Sequence, residues 1–347
     1  MNIKKIALAV VLIGLLGFAF FAYYVYNAMF VDNTAFNNEE ACIFIKTDAS
    51  FSEVSNDLEP LLQDIGTFEA LARRKKYVNN IKPGKYCIKK GMTNNDIINT
   101  IRSQNAPVRL SFNNQNSIQE LAGRVAEQIE ADSTDLISAM TDSLFLKKNG
   151  FDNKTALGIY IPNSYELFWN TDAEDFRERM LKEYKRFWNN SRLEKAKSMD
   201  LAPKEVMTLA SIVHEESKQA VEQPRIAGVY VNRLKSAWPL QADPTLKFAA
   251  YQLSEYQGVV IKRVLNKHKE IDSPYNTYKY AGLPPGPIGM PDITAIDAVL
   301  NYEKHDYYYF AADAQRPGFH KFAKSLSQHN RNANEYQRYL NQQGIRR

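Results

Sequence analysis

The sequence lacks the short motifs that mark the commonest nucleotide-binding and hydrolytic sites. It contains no Walker A phosphate loop, no G-x-G-x-x-G fingerprint and no G-x-S-x-G nucleophile elbow. Its five histidines are dispersed without a pair at i,i+4, and "HEES" lacks the second histidine of the H-E-x-x-H zinc motif. These absences argue against nucleotide, serine-nucleophile and zinc chemistry, and we predict neither a metal nor a cofactor.

The excess of positive over negative charge is small, and cysteine is scarce. The net charge is only +5, which is too weak to predict a nucleic-acid partner, although it suits a surface that faces anionic polymers or lipid head groups. The two cysteines, Cys42 and Cys87, lie in strand-like runs. Two buried free thiols are the expectation, and a disulfide stays open because an exported chain would meet oxidising conditions.

An uncharged apolar run near the N-terminus is long enough to span a bilayer. It covers residues 6–26 and follows Lys4 and Lys5. The positive-inside rule then predicts a cytoplasmic tip at 1–5, a single transmembrane helix over 6–26 and all later residues on the outer side. A cleaved signal peptide fits less well, because the run is longer than a signal core and bulky residues follow it.

The rest of the chain predicts an α+β fold in two parts behind a polar linker at 27–40. Residues 41–106 read as strand, helix, helix, strand, with turns at Pro83-Gly84 and Gly91. This βααβ unit resembles the LysM-like module of cell-wall proteins, and a generic small α+β module is the alternative. Residues 107–347 begin with a strand at "PVRLSF", continue with helices and become rich in Pro, Gly, Asn and Tyr after Trp238. This pattern predicts a mixed α+β domain, which is the candidate catalytic domain.

One predicted helix, beginning near Lys204, ends in three titratable residues. At about 100° per residue, Glu215 lies opposite the apolar arc beside Thr208 and Ser211, whereas Glu216 lies inside that arc. We therefore expect Glu215 to be solvated and Glu216 to point toward a core or cleft. Burial raises the pKa of a carboxyl group, as general acid catalysis near neutral pH requires. The alternative is a helix end at which Glu216 pairs with an arginine or lysine.

Three later segments combine tyrosines, amides and rigid prolyl turns. They are "PLQADPTLKFA", "SPYNTYKYAGLPPGPIGMP" and "YYYFAADAQRPGFHKFAKSLSQHN". Such residues build sugar-binding grooves, because pyranose faces stack on aromatic rings and hydroxyl groups pair with amides. The candidate substrate-binding residues are Gln241, Asp243, Thr245, Tyr275, Asn276, Thr277, His320 and His329.

The order of these motifs resembles the YceG/MltG family of membrane-anchored endolytic lytic transglycosylases. The matching stretches are "LASIVHEES", "VYVNRL", "LQADPT", "YNTY", "GLPPGPI" and "HKFAKSLSQHN". The catalytic helix of that family carries two glutamates. Here His214 replaces the first glutamate, and Glu216 stands at the position of the second. The resemblance and the helical phase therefore indicate the same catalytic residue, Glu216.

The resemblance implies an inner-membrane protein with a periplasmic body that cleaves the bonds between N-acetylmuramic acid (MurNAc) and N-acetylglucosamine (GlcNAc) within peptidoglycan strands. Glu216 would act as acid and then as base, giving 1,6-anhydroMurNAc ends and limiting the length of nascent strands. Cell-wall synthases and division proteins are the implied protein partners. Two alternatives remain: a non-enzymatic wall-binding anchor, favoured by His214, and a muramidase-type hydrolase. The hydrolase would need a second carboxylate, and Asp243 is the candidate, although an Asp in such a turn more often bonds its own backbone.

Overall fold

The computed structural model describes residues 3–256, 258–261 and 264–343. It has the mixed α+β character predicted from the sequence. Residues 1–2 of the predicted cytoplasmic tip and 344–347 of the predicted catalytic domain lie outside the described residues. The chain divides into two compact units, which are described separately.

The N-terminal helix α1 (Ile3–Phe30) is 28 residues long, has a mean hydropathy of 2.6 over its most apolar window, and has no buried residue in that window. At a rise of 1.5 Å per residue it is about 42 Å long, which exceeds the bilayer core of about 30 Å. It therefore fits a single-pass membrane anchor. The helix continues beyond the predicted boundary at Tyr26, because the Ala28 carbonyl accepts a hydrogen bond from Asn94 Nδ2 and Ala28 is buried.

The first unit contains the chain up to Leu110 together with Glu127–Ala131 and Tyr165–Asp172. After α1 its elements are β1 (Glu40–Ile45), α2 (Phe51–Leu58), α3 (Ile65–Arg74), β2 (Gly84–Lys89) and α4 (Asn94–Ser103). The predicted order of strand, helix, helix and strand is present, with β1 antiparallel to β2. Its likeness to a LysM module stays a prediction.

The expectation of two free thiols is wrong. Cys42 and Cys87 occupy directly paired positions on β1 and β2, and their sulfur atoms form a disulfide. The strand-like runs predicted both strands, but the pairing register that brings the two side chains together depends on long-range structure.

The second unit contains Ser111–Ala126, Asp132–Ser164 and the chain from Ala173 onward. Strands β3 (Pro107–Phe112) and β4 (Asn163–Phe168) pair with each other, and the division between the units falls within both strands. The remaining elements are α5 (Ile118–Ala126), α6 (Ser133–Met140), α7 (Ser143–Lys148), α8 (Ala173–Phe187), α9 (Asn190–Ser198), α10 (Pro203–Glu216), α11 (Gln223–Lys235), α12 (Asp243–Tyr251), α13 (Asn266–Lys269), α14 (Ile293–Leu300), β5 (Tyr309–Ala312), β6 (His320–Ala323) and α15 (Leu326–Gln342). Strands β5 and β6 form an antiparallel hairpin.

Helix α10 is the central helix of the second unit. Every residue from Val206 to His214 is buried, and the helix packs against α11, α12 and α14. Thr208 and Ser211, expected beside Glu215 on a solvated face, are therefore buried. Ser211 Oγ accepts a hydrogen bond from Ile288 N at 3.0 Å, so the "GLPPGPI" segment covers the face that periodicity alone assigned to solvent.

Candidate active site

Glu216 is the last residue of α10, and its environment differs from that of its neighbour. Glu215 is exposed and pairs with Lys218 Nζ at 2.9 Å, whereas Glu216 is partly buried. The helical-phase prediction for these two side chains is confirmed. Because one carboxyl group is solvated and the next is largely removed from water, adjacent positions of one helix carry chemically different acids.

The partner of Glu216 is a tyrosine. Tyr230 Oη donates a hydrogen bond to Glu216 Oε1 at 2.6 Å, and the buried Tyr230 side chain projects from α11. Its ring meets Phe310 of β5 edge-on, with the ring centroids 5.9 Å apart. Among the residues that the structure describes, no arginine or lysine forms an ion pair with Glu216. The structure therefore does not support the alternative of a simple paired helix end.

Burial is the main cause that raises the pKa of Glu216 to about 7. The hydrogen bond from Tyr230 lowers this pKa, and the nearby charge of Asp243 raises it. His320 and Lys247 also lower it. Ionising a carboxyl group that water cannot fully solvate is costly, so the proton is held near neutral pH. The residue as a whole keeps partial exposure at the end of α10. This combination is what a general acid requires.

Asp243 is a second carboxylate close enough to influence Glu216. It is the exposed first residue of α12, and its Oδ1 accepts a hydrogen bond from Tyr278 Oη at 2.6 Å. Its carboxylate is thus held by a tyrosine 35 residues away, rather than by the backbone of its own turn as the sequence suggested. Burial is the main cause that raises the pKa of Tyr278, and the Asp243 carboxylate raises it further, so this phenol keeps its proton.

The turn before Asp243 is held by two buried threonines. Thr277 Oγ1 accepts from Ala242 N at 3.0 Å and lies 2.8 Å from Thr245 Oγ1. The Thr277 carbonyl accepts from Gln241 N at 2.9 Å. Gln241 itself is exposed and adopts a left-handed backbone with φ 49°, a conformation that costs free energy and persists only where surrounding contacts hold it. Thr245 and Thr277 therefore support this turn, and Gln241 presents its side chain at the surface.

Asn276 and Tyr275 are also buried. The Asn276 amide donates to the carbonyls of Lys269 and Ile271 and accepts from two backbone N–H groups, so its hydrogen-bonding capacity is used within the loop. Tyr275 packs on Phe248 with ring centroids 4.6 Å apart. These residues give the loop a fixed shape beside α12.

His320 is held by a buried carboxylate. Glu222 Oε1 accepts from the His320 backbone N–H at 2.8 Å, and Glu222 Oε2 lies 2.9 Å from His320 Nδ1. The imidazole meets Phe310 edge-on at 5.2 Å, so one phenylalanine contacts both His320 and the tyrosine that binds Glu216. His320 is thus oriented next to the acid.

His329 lies on a different part of the same unit. Its ring stacks on Tyr309 at 5.4 Å, and burial lowers its pKa. Within the described residues its buried Nδ1 has no hydrogen-bond partner. Arg233 joins this region to the turn before Asp243, because its Nε donates to Tyr308 O at 2.8 Å and its Nη1 donates to Leu240 O at 2.7 Å.

Four residues of this arrangement were missed by sequence reasoning: Tyr230, Tyr278, Glu222 and Arg233. Tyr230 and Arg233 lie in "VYVNRL", where a phenol and a guanidinium interrupt an apolar helix face. That interruption signals buried polar groups, but it does not identify their partners.

Among the residues described, one group of three side chains of metal-ligating type lies close enough together to hold an ion. It consists of Glu40, Cys42 and Cys87. The disulfide removes both thiols of that group as ligands.

A partly buried acid near neutral pKa, bordered by tyrosines and a second carboxylate, is typical of an enzyme that cleaves glycosidic bonds. The model of the YceG-like family matches residues 43–335. The chain therefore belongs to the YceG-like family.

Relatives of this chain cover most of its length. It is 31% identical over 278 residues to the endolytic murein transglycosylase of Bacillus subtilis strain 168, an alignment that spans 75% of this chain and 74% of the relative. It is 27% identical over 302 residues to the endolytic murein transglycosylase of Streptococcus pneumoniae D39, spanning 78% of this chain and 53% of that relative. The crystal structure of a yceG-like protein from Listeria monocytogenes matches with a TM-score of 0.56 and 27% identity, covering 85% of this chain and 99% of that one.

Proposed function

We propose that this protein is an endolytic peptidoglycan lytic transglycosylase that cleaves MurNAc–GlcNAc bonds within glycan strands. The observation that carries the proposal is Glu216, a partly buried acid with a pKa raised to about 7 and a hydrogen bond from Tyr230. Relatives named endolytic murein transglycosylases support the substrate class. Cleavage within nascent strands would limit their length.

In the proposed reaction, Glu216 donates its proton to the glycosidic oxygen as the bond from that oxygen to C1 of MurNAc breaks. The resulting carboxylate accepts the proton of the C6 hydroxyl of the same sugar, and the C6 oxygen closes on C1. The sugar thus becomes a 1,6-anhydroMurNAc end, and Glu216 regains its proton. Attack within one sugar carries a large effective-concentration advantage over attack by water.

The other candidate residues have two kinds of role in this proposal. Asp243 and His320, whose charges act on Glu216, orient the sugar together with the exposed Gln241. Thr245, Tyr275, Asn276 and Thr277 fix the loop and turn next to Asp243, and His329 contacts the sugar beside Tyr309. We further propose that residues 41–106 form a LysM-like wall-binding module, and that α1 holds the body on the periplasmic side of the inner membrane, near cell-wall synthases and division proteins.

The matched pair Glu216→Gln and Glu215→Gln tests the catalytic assignment. Glu216→Gln keeps the shape and the acceptor of the Tyr230 hydrogen bond but removes the titratable proton, so it should abolish cleavage of purified peptidoglycan. Glu215→Gln should change little. Loss of cleavage in Glu215→Gln alone would refute the assignment, and unchanged strand length with the wild-type chain would favour a non-enzymatic anchor.

A hydrolase is the second candidate, and the proximity of Asp243 to Glu216 favours it. A glycosidase that uses water needs two carboxyl groups, which stand about 5–5.5 Å apart in retaining enzymes and about 6.5–9.5 Å apart in inverting enzymes. Mass spectrometry of the fragments separates the two reactions, because 1,6-anhydro ends lack one water relative to hydrolysed ends. Reducing MurNAc ends as the main product would overturn the transglycosylase assignment and make Asp243→Asn the next variant to examine.

A further inference from the structure

A cavity of about 1,040 Å³ opens in the second unit beside the helix that carries Glu216. Its walls include Lys154, Lys247, Glu215 and the packed pair Phe248 and Tyr275. This cavity is called the lysine groove below. Its volume is large enough for several residues of an extended ligand.

The lysine groove comes near the proposed acid along α12. Pro244, which lines the groove, directly follows Asp243, whose charge acts on Glu216. Lys247, which also lines it, lies one helical turn after Asp243 on α12 and lowers the pKa of Glu216 through its charge. A ligand whose glycosidic bond is at Glu216 can therefore extend into the groove.

The two lysines give the groove an unmatched positive charge. Across the described ranges, neither ammonium group lies within ion-pair distance of a carboxylate, and Asp152 interacts with Lys154 only at longer range. Of the acidic side chains of the groove, Glu215 is paired with Lys218 at 2.9 Å, whereas Glu120 keeps its negative charge and accepts a hydrogen bond from Asn116 N at 2.8 Å. An unpaired cation in a recess favours an anionic ligand.

The position of Lys154 is fixed by its backbone. Its N–H donates to Asp152 Oδ1 at 3.0 Å, and its carbonyl packs so closely on Gly286 of "GLPPGPI" that any side chain at position 286 would clash with it. The rigid prolyl loop therefore holds the base of this lysine in place, and only its side chain is free to reach a ligand.

Where a stem peptide is attached, the lactyl carboxyl group of MurNAc is held in an amide bond, so the carboxylates of such a strand belong to its stem peptides. Each stem is joined to the lactyl group of MurNAc, the sugar whose bond is cleaved in the proposed function. We propose that the lysine groove binds the stem peptide of the MurNAc at the cleavage site, with Lys154 and Lys247 pairing with stem carboxylates. This inference rests on the proposed function and makes the stem part of the recognised substrate.

The test compares the activity of the full chain, in detergent, on two kinds of glycan strand. One kind bears stem peptides, and the other has lost them to an amidase, which leaves a lactyl carboxylate on each MurNAc but no peptide that could extend into the groove. The wild-type kcat/KM should be higher on stem-bearing strands. Lys154→Gln should reduce the ratio of the two kcat/KM values about five- to tenfold, mainly through KM. The matched control is Lys204→Gln, because Lys204 is exposed and lines a separate cavity of about 670 Å³, and it should keep the wild-type ratio.

A second measurement does not depend on a variant. Free stem peptide should inhibit the wild-type chain, and the same peptide with its carboxylates amidated should not. Equal cleavage of both strand types, or equal inhibition by both peptides, would overturn the inference while leaving the proposed function intact. Cleavage of neither strand type would overturn the proposed function and this inference together.

Discussion

The raised pKa of Glu216 should make the stability of the protein depend on pH, in a way that Glu216→Gln removes. The ordinary value of 4.5 applies to the unfolded chain, and the folded value is about 7. Below pH 4.5 the carboxyl group is protonated in both states. As the pH rises from 4.5 to about 7, the unfolded chain ionises while the folded chain keeps its proton. The free energy of unfolding therefore falls across this window and levels off above it.

The magnitude follows from the size of the shift. One pKa unit corresponds to about 1.36 kcal/mol, so the full shift would be worth about 3 kcal/mol. Glu216 retains some exposure, which allows water to reduce this value, and we expect a loss on the order of 1–3 kcal/mol. Glu216→Gln has no proton to lose and keeps the Tyr230 hydroxyl satisfied. It should thus exceed the wild type in free energy of unfolding by this amount at pH 8 and match it at pH 4.5.

Urea unfolding followed by tryptophan fluorescence at the two pH values measures this difference, since Trp188 and Trp238 lie in the second unit. Glu215→Gln is the control, because its exposed side chain makes only a surface pair with Lys218, worth at most about 1 kcal/mol. A Glu216→Gln variant no more stable than the wild type at pH 8 would mean that the carboxyl group is well solvated. The argument for a general acid would then fail.

Three further results are expected. Tyr230→Phe removes the hydrogen bond that favours the ionised form of Glu216, so the alkaline limb of kcat/KM against pH should move up by about one unit; an unmoved limb would contradict this role. Reducing the Cys42–Cys87 disulfide, whose cysteines are 45 residues apart, should lower the free energy of unfolding of the first unit by about 2–4 kcal/mol in urea titrations, and unchanged midpoints would argue against it. High-salt extraction should leave the chain in the membrane because α1 is retained, whereas a mature N-terminus near Asn27–Asn33 would indicate signal cleavage.

The predictions that held concern local periodicity. A 3.6-residue repeat fixes the angle between Glu215 and Glu216, and no distant contact can place both on the same side of a regular helix. The same repeat failed for Thr208 and Ser211, because it reports which face is apolar and not what else covers the helix. Ile288 binds Ser211 from 77 residues away, so the burial of that polar face depends on a loop whose path the local pattern does not give.

The candidate substrate residues show the same difference between what a local pattern predicts and what long-range contacts decide. The "QADPT" and "YNTY" turns were predicted to bind substrate from their residue chemistry, and that stays a prediction. In the structure they form a dense hydrogen-bond network, as turns rich in hydroxyl and amide groups do. Residue chemistry could not separate exposed side chains, such as that of Gln241, from those that hold the turn, such as Thr245 and Thr277. That separation depends on which hydrogen bonds close within the protein, and those bonds join residues more than 30 positions apart.

The acidity of Glu216 is likewise a property of the assembled unit rather than of the helix motif. Glu215 belongs to the same helix end, yet only Glu216 is enclosed. Its Tyr230 partner comes from α11, and the charges of Asp243 and His320 act on it from α12 and β6. A glutamate at this motif position thus becomes a strong candidate acid only when those three elements fold around it. A substitution that displaces α11, α12 or β6 should impair the acid even when the motif is intact, because the site's proton affinity is set by their packing.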